Sequence, residues 1–341
     1  MIKWLNIPDS TKKNAYIQIA EQTGMSAFAV EKDWWVSRTL EIIFQMDIAK
    51  HLVFKGGTSL SKAWKLINRF SEDIDLAIDK EFFEGFKGDI SKTQIGKLRK
   101  VAGVYTTGTF FKELEDEFHK RGYKGLEFKV VAAKDSDQDP RVLEIYYPSL
   151  TDSPTEYILP RVQVEISCRS LREPFTEKTF GSLVDEFYQD KDFAETLFAV
   201  PTVNPERTFL EKVFLLHEEF HRPTDKIRVD RLSRHLYDIY QMSKAGIDNS
   251  AINDKELYET IVAHRYKYAR VGHVDYNLHN PKSIDPTPID TVFKAWEEDY
   301  AKMMEDMIYE EPKPTFKELT AYLIVLKEKL NKIDWVFELS F

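Results

Sequence analysis

The chain has almost no cysteine. Cys168 is the only one in 341 residues, which excludes a disulfide framework and a cysteine-based zinc site and fits a reducing compartment. A basic excess is also missing: the formal net charge is -9, so the surface as a whole is not an electrostatic glove for nucleic acid and any such contact must be local. No run approaches the roughly 18 to 20 apolar residues of a membrane span, and MIKWLNIPDSTKK has no long apolar core behind its lysine. A cytoplasmic protein without membrane contact is expected. Internal repeats and low-complexity tracts are absent, as is the P-loop pattern GxxxxGK[ST].

What is present is an ordinary globular balance, 43% hydrophobic and 31% charged, in a length that allows two packed cores. Asp9-Ser10 opens a helical pattern that stops at Gly24, and Ser26 opens a second, AFAVEKDWWVSRTLEIIFQM, with Trp35, Leu40, Ile43 and Phe44 on its apolar stripe. HLVFKGG then reads as a short buried strand stopped by two glycines. LSKAWKLINRF at 59–69 returns to helical spacing, and DIDLAI is a second strand. A helical region at 90–122 precedes the alternating runs LEFKVVAA, VLEIYYPSL and RVQVEIS, giving a mixed sheet of about five strands by this pattern. Beyond VPTVNPE the spacing is helical throughout. The expected division is N-terminal helices 1–50 packed on a core, an α/β core 51–204, and a C-terminal helical bundle 205–341. The loop at 270–290 is long enough to invite a functional role.

The stretch FKGGTSLSKAWKLINRFSEDIDLAID, residues 54–79, carries the chemistry. Gly56 and Gly57 allow a backbone to approach a ligand closely, and the helix that follows offers amides, its dipole and the hydroxyls of Thr58 and Ser59 to a phosphate. Asp73 and Asp75 lie two apart on a strand, so both leave the same face, as two carboxylates sharing a hard divalent cation must. Either motif alone is a turn or a strand edge; together they describe the positioning and charge that phosphoryl transfer requires.

KDWW at 32–35, FKGGTSLSKAW and RFSEDIDL, with ERTFLEKVFLLHEE and RLSRHLYDIY further on, resemble the AbiEii/AbiGii nucleotidyltransferase toxins of type IV toxin–antitoxin systems, within the polymerase-β-like superfamily. The resemblance is densest over 31–79 and extends to about 245. It implies an α/β (α+β) fold with a mixed sheet flanked by helices and a C-terminal helical bundle. It also implies an enzyme that moves an NMP from an NTP to an acceptor hydroxyl, on RNA and in particular a tRNA 3′ end, as a toxin acting in growth arrest or phage defence with a cognate antitoxin encoded nearby. The implied cofactor is Mg2+ or Mn2+, held by Asp73 and Asp75 with a third carboxylate from a later strand; the candidate is Glu165 in RVQVEIS, an acid among apolar residues that either completes the site or pairs with Arg161 or Arg169. The implied triphosphate loop is Gly57, Thr58 and Ser59, and Gly56, Lys62 and Arg69 join them as candidate nucleotide-binding residues. From the helical half come Lys212, as a phosphate contact, and Asp238, which positions that lysine or another basic group. Arg69, beside the acidic strand, is either a phosphate contact or a counter-charge to Glu72 and Asp73, and is read as supporting. The basic stretches KTQIGKLRK and HRPTDKIRVDRLSRH are the densest places for an RNA to lie.

Two other readings stay open. HEEFH at 217–221 matches the zincin pattern HExxH, with His217 and His221 one turn apart and Glu218 as base, but Pro223 follows and the extended HxxGxxH form is missing. The chain could also be a nucleotide (GTP)-binding module without catalysis.

Overall fold

A computed structural model describes residues 2–152 and 159–341. The chain divides into two compact units, residues 1–64 with 70–203, and residues 65–69 with 204–341.

In the first unit, α1 (Asp9–Thr23) ends at Gly24, whose φ of 74° is the left-handed conformation that a helix C-terminus favours in glycine. Ser26 then caps α2 (Ala27–Ile43) by accepting the N–H of Ala29 at 3.1 Å. α2 is buried almost all round, and its core-facing residues include Phe28, Val30, Trp34, Val36 and Leu40. Burying each such large side chain contributes about 1.5–3 kcal/mol. Next come β1 (Leu52–Lys55), α3 (Gly56–Lys62) and β2 (Asp73–Ile78). α4 (Lys92–Tyr105) passes through a π-helical turn, Thr106–Phe110, into α5 (Phe111–Lys120). The unit is completed by β3 (Glu127–Val130), β4 (Arg141–Tyr146), β5 (Arg161–Ser167), β6 (Phe175–Phe180), α6 (Leu183–Phe187) and β7 (Phe198–Val203).

The sheet has seven strands in the order β3-β4-β5-β2-β1-β7-β6. β2 runs antiparallel to β1 and parallel to β5, so the sheet is mixed, with β2 at its centre. Two strands exceed the sequence expectation of about five. β6, FTEKTF, alternates weakly and has little apolar content, and β7 carries Pro201, which cannot donate to a ladder; neither presents the usual strand signal. VPTVNPE is therefore partly strand. The helix expected at 59–69 instead starts at Gly56 and stops at Lys62, with Lys65 at a φ of 54°. Apolar spacing continued past the true end because Ile67 and Phe70 are buried for other reasons.

The second unit is helical: α7 (Pro205–Phe220), α8 (Arg234–Lys244), α9 (Ile247–Asn253), α10 (Lys255–Tyr268), α11 (Asp290–Asp306) and α12 (Phe316–Asn331). α7 packs against α8, α9 and α10, with Phe209, Val213 and Leu216 fully buried. Residues 68 and 69 join this unit as extended chain: the Tyr309 N–H donates to the Asn68 carbonyl at 3.1 Å and Arg69 bridges Ile308. The long 270–290 segment is tied down. It contains a short turn, Tyr276–His279, in which the fully buried His279 stacks on Tyr276 at 4.6 Å.

Candidate active site

Strand alternation builds the acidic face. On β2, Ile74 and Leu76 are fully buried, while Asp73 and Asp75 between and before them are half-buried on the other face. β5 repeats the pattern, with Val162, Val164 and Ile166 buried and Arg161, Gln163 and Glu165 half-buried. Register then sets the neighbours: Asp73 pairs with Gln163, and Asp75 with Glu165. Directly opposite residues on neighbouring strands share a face at about 4.5–5.5 Å between Cβ atoms. The three carboxylates therefore feel one another. The Glu165 carboxyl is pushed up to about 7, first by burial and then by the charges of Asp75 and Asp73, although Gln163 Nε2 donates to it at 2.9 Å.

Gly56 is shaped by Asp75. Its φ is +80°, and a Cβ placed there would lie 2.0 Å from Asp75 Oδ2. The carboxylate thus rests against the bare glycine backbone, a contact and a conformation that no side chain permits. Thr58 and Ser59 are fully buried and bonded internally. The Thr58 hydroxyl donates to the Asp73 carbonyl at 2.6 Å, and the Ser59 hydroxyl donates to the Gly56 carbonyl at 2.8 Å. The Thr58 bond ties α3 to β2 beside the aspartates, while the Ser59 bond closes the first turn of α3 on Gly56. Gly57 follows Gly56 within the first turn of α3. The Lys62 amine forms an ion pair with Asp33.

Sequence reasoning gave no role to the triplet Glu31-Lys32-Asp33, yet each of these charges is buried in α2 and reaches a different part of the unit. Glu31 accepts the N–H groups of Leu150 at 2.8 Å and Thr151 at 3.0 Å. Lys32 forms an ion pair with Glu72, next to Asp73, and donates to the Leu159 carbonyl at 2.8 Å. Burial lowers the Lys32 pKa, and Glu72 opposes that shift. Asp33 holds Lys62, the last residue of α3, and accepts the Leu183 N–H at 2.8 Å. α2 thereby clamps both α3 and the entry to β2. The available signal was three consecutive charges inside an apolar helix, since buried charges require partners.

In the second unit, Asp238 is fully buried and holds two cations. Arg69 forks onto it through Nε at 2.7 Å and Nη2 at 2.8 Å, and Lys212 Nζ lies 3.0 Å away. Burial opposes ionisation of Asp238, but Arg69 and Lys212 outweigh it and hold the carboxyl well below the usual range. Burial pulls the Lys212 pKa down while Asp238 supports it. His235 is pushed well below its ordinary value by burial and by Lys212, so it is neutral and its Nδ1, 3.2 Å from the lysine, can accept from it. Arg69 is thus bonded to the same carboxylate as Lys212.

The zincin-like segment is occupied with internal bonding. Glu218 is bound by Arg265 Nε at 2.8 Å and by His279 Nε2 at 3.2 Å, His217 Nδ1 accepts the Asp285 N–H at 3.0 Å, and His221 Nδ1 bonds the His217 carbonyl at 2.7 Å. A glutamate so engaged is not a free base. Among the described residues, no three His, Cys, Asp or Glu side chains are gathered to hold a metal ion by themselves. That statement includes Asp73, Asp75 and Glu165, whose donor chemistry suits a hard cation but whose ligand set is open.

The sequence profile of the nucleotidyl transferase AbiEii toxin family, type IV toxin–antitoxin system, matches residues 38–322. It begins after KDWW and runs well beyond residue 245, into the part of the helical unit that carries no motif of its own. No curated protein matches the chain. Among solved structures, the chain is similar to MenT4, the nucleotidyltransferase toxin Rv2826c of Mycobacterium tuberculosis H37Rv, at 20% identity over 94% of this chain and 99% of that one, with a TM-score of 0.42.

Proposed function

Because this chain belongs to the AbiEii family and is a nucleotidyltransferase toxin by that membership, we propose that it moves an NMP from an NTP to a hydroxyl of RNA, at the 3′ end of a tRNA. The acceptor oxygen attacks the α-phosphorus, and the bond from that phosphorus to the bridging oxygen breaks. Its electron pair leaves with pyrophosphate, and the hydroxyl proton passes through the carboxylate cluster to water. The observation that carries the reading is the row of Asp73, Asp75 and Glu165 against the bare backbone of Gly56, with Glu165 raised to about 7 by burial and its acidic neighbours.

Such crowding of negative charge fits a divalent cation. Asp73 and Asp75, with Glu165 beside them, would hold Mg2+ or Mn2+, and substrate phosphate oxygens would complete the open ligand set; the ion would supply Lewis acidity at the phosphorus. Asp73 and Asp75 present their carboxylates on the face where the phosphates would lie, and Gly56 gives the nucleotide access to the backbone. In the second unit, Arg69 and Lys212 are both bonded to Asp238, which sets two cations side by side as a phosphate contact would require.

Incubation with labelled NTPs, Mg2+ and total tRNA tests this. Wild type is expected to label tRNA, and Asp75→Ala to lose transfer by at least about a hundredfold, the scale of removing one transition-state charge stabiliser. Absence of transfer together with absence of metal-dependent NTP binding in wild type would overturn the proposal. Expression in cells is expected to arrest growth, relieved by the product of an adjacent reading frame acting as antitoxin, with the active protein in the cytoplasm and phage defence as one setting for it.

A further inference from the structure

The row of carboxylates has a cationic end. Lys55, the last residue of β1, is the register partner of Asp75, and Asp75 is flanked on its other side by Glu165. Lys55, Asp75 and Glu165 therefore project from one face in that order. Lys55 is half-buried, yet among the described residues its amine has no hydrogen bond and no ion pair. Its neighbours behave differently. Lys32 is paired with Glu72 and Lys62 with Asp33, so each of those buried ammonium groups serves the protein's own packing.

Geometry explains why Lys55 is left over. Asp75 turns its carboxylate onto Gly56, where Oδ2 would lie 2.0 Å from a Cβ, and Glu165 is bonded by Gln163 at 2.9 Å. The amine thus stands beside the acids without being committed to any of them. It also stands on the glycine side of Asp75, immediately before Gly56 in the chain, whereas Glu165 closes the opposite side.

We propose that Lys55 is a substrate-binding residue that contacts the β- and γ-phosphates of the NTP, making the site selective for a triphosphate and stabilising pyrophosphate as it leaves. The inference rests on the reading of the carboxylate face as the nucleotidyl-transfer site. As the bond between the α-phosphorus and the bridging oxygen breaks, that oxygen gains the electron pair and the pyrophosphate gains negative charge. The ammonium neutralises this charge through a charge-assisted hydrogen bond and exchanges no proton. A lysine suits the task because its three donors rotate on a flexible stem and can follow the departing group.

The test compares wild type, Lys55→Met and Lys55→Arg with Mg2+ and a non-hydrolysable NTP analogue, the corresponding NMP, and pyrophosphate as inhibitor of transfer; thermal melting establishes that each variant is folded. Lys55→Met is expected to weaken the NTP analogue and pyrophosphate by about 10–100-fold, the range of one hydrogen bond to a charged group, and to leave the NMP unchanged. Lys55→Arg is expected to recover most of that loss. Equal weakening of analogue and NMP, or no weakening of analogue and pyrophosphate in folded Lys55→Met, would overturn the assignment of Lys55 alone. A wild type that binds neither analogue nor pyrophosphate would overturn the reading of the site, and Lys55 with it.

Discussion

Gly56 is the residue whose chemistry is most tightly fixed by its surroundings, because two independent constraints meet there. Its φ of +80° disfavours any side chain, and the Asp75 carboxylate occupies the space a Cβ would need. Gly56→Ala is expected to cost about 1–3 kcal/mol in stability from backbone strain and to reduce transfer by two orders of magnitude or more, since Asp75 must move. Denaturant unfolding alongside the transfer assay separates the two effects; a variant with wild-type activity would show that the contact is incidental. Gly-Gly, Thr-Ser and Asp-Ile-Asp were all legible in the sequence as functional types. That Asp75 leans on Gly56, and that the Thr58 hydroxyl is consumed by the Asp73 carbonyl, was not, because both depend on a crossing of α3 and β2 that no local pattern encodes.

At the scale of elements, α2 does more than fill the core. Its Lys32–Glu72 pair is buried and adjoins Asp73, so removing one member takes a buried counter-charge away from the other next to the proposed metal ligands. Lys32→Met or Glu72→Gln alone is expected to destabilise by about 3–5 kcal/mol, and the double variant by clearly less than the sum. Additive losses in chemical denaturation would mean the pair is not coupled. α1 and α2 were readable because Gly24 and the Ser26 cap punctuate long helical runs, and α7 because Phe209, Val213 and Leu216 mark its buried stripe. β6 and β7 were not: FTEKTF and FAVPTV are stabilised as strands by each other and by β1, through pairings such as Thr176 with Thr202 and Phe54 with Thr202. Glu165 lay within reach of sequence reasoning as an acid among buried valines and isoleucines, whereas Lys55 did not, because its significance depends on its register with Asp75.

For the molecule as a whole, acid is the sensitive direction. His217 is pulled from its ordinary value of 6.5 to about 3 by burial, helped by His279 and His221, so the folded chain refuses a proton that the unfolded chain accepts. Its contribution to stability is complete above pH 6.5 and falls by about 1.4 kcal/mol per pH unit as pH drops toward 3. Glu218, lowered from 4.5 to about 2 by Arg265 and His279 against the opposing effect of burial, adds a loss of the same sign below pH 4.5. Melting midpoints are expected to decline from pH 6.5 downward, and His217→Asn to flatten the decline between pH 6.5 and 4.5; an unchanged slope in that variant would remove His217 as the cause. Residues 65–69 interrupt the first unit in sequence and belong to the second. Arg69 waits for Asp238, 169 residues later, and its backbone neighbours wait for Ile308 and Tyr309. During synthesis, these particular bonds of the segment joining α3 to the aspartate strand form only after residue 238, and then residues 308 and 309, have been made. A chain that lacks those residues is expected to leave the connector unsecured, so the strap between α3 and the aspartate strand is a late-fastened part of the fold.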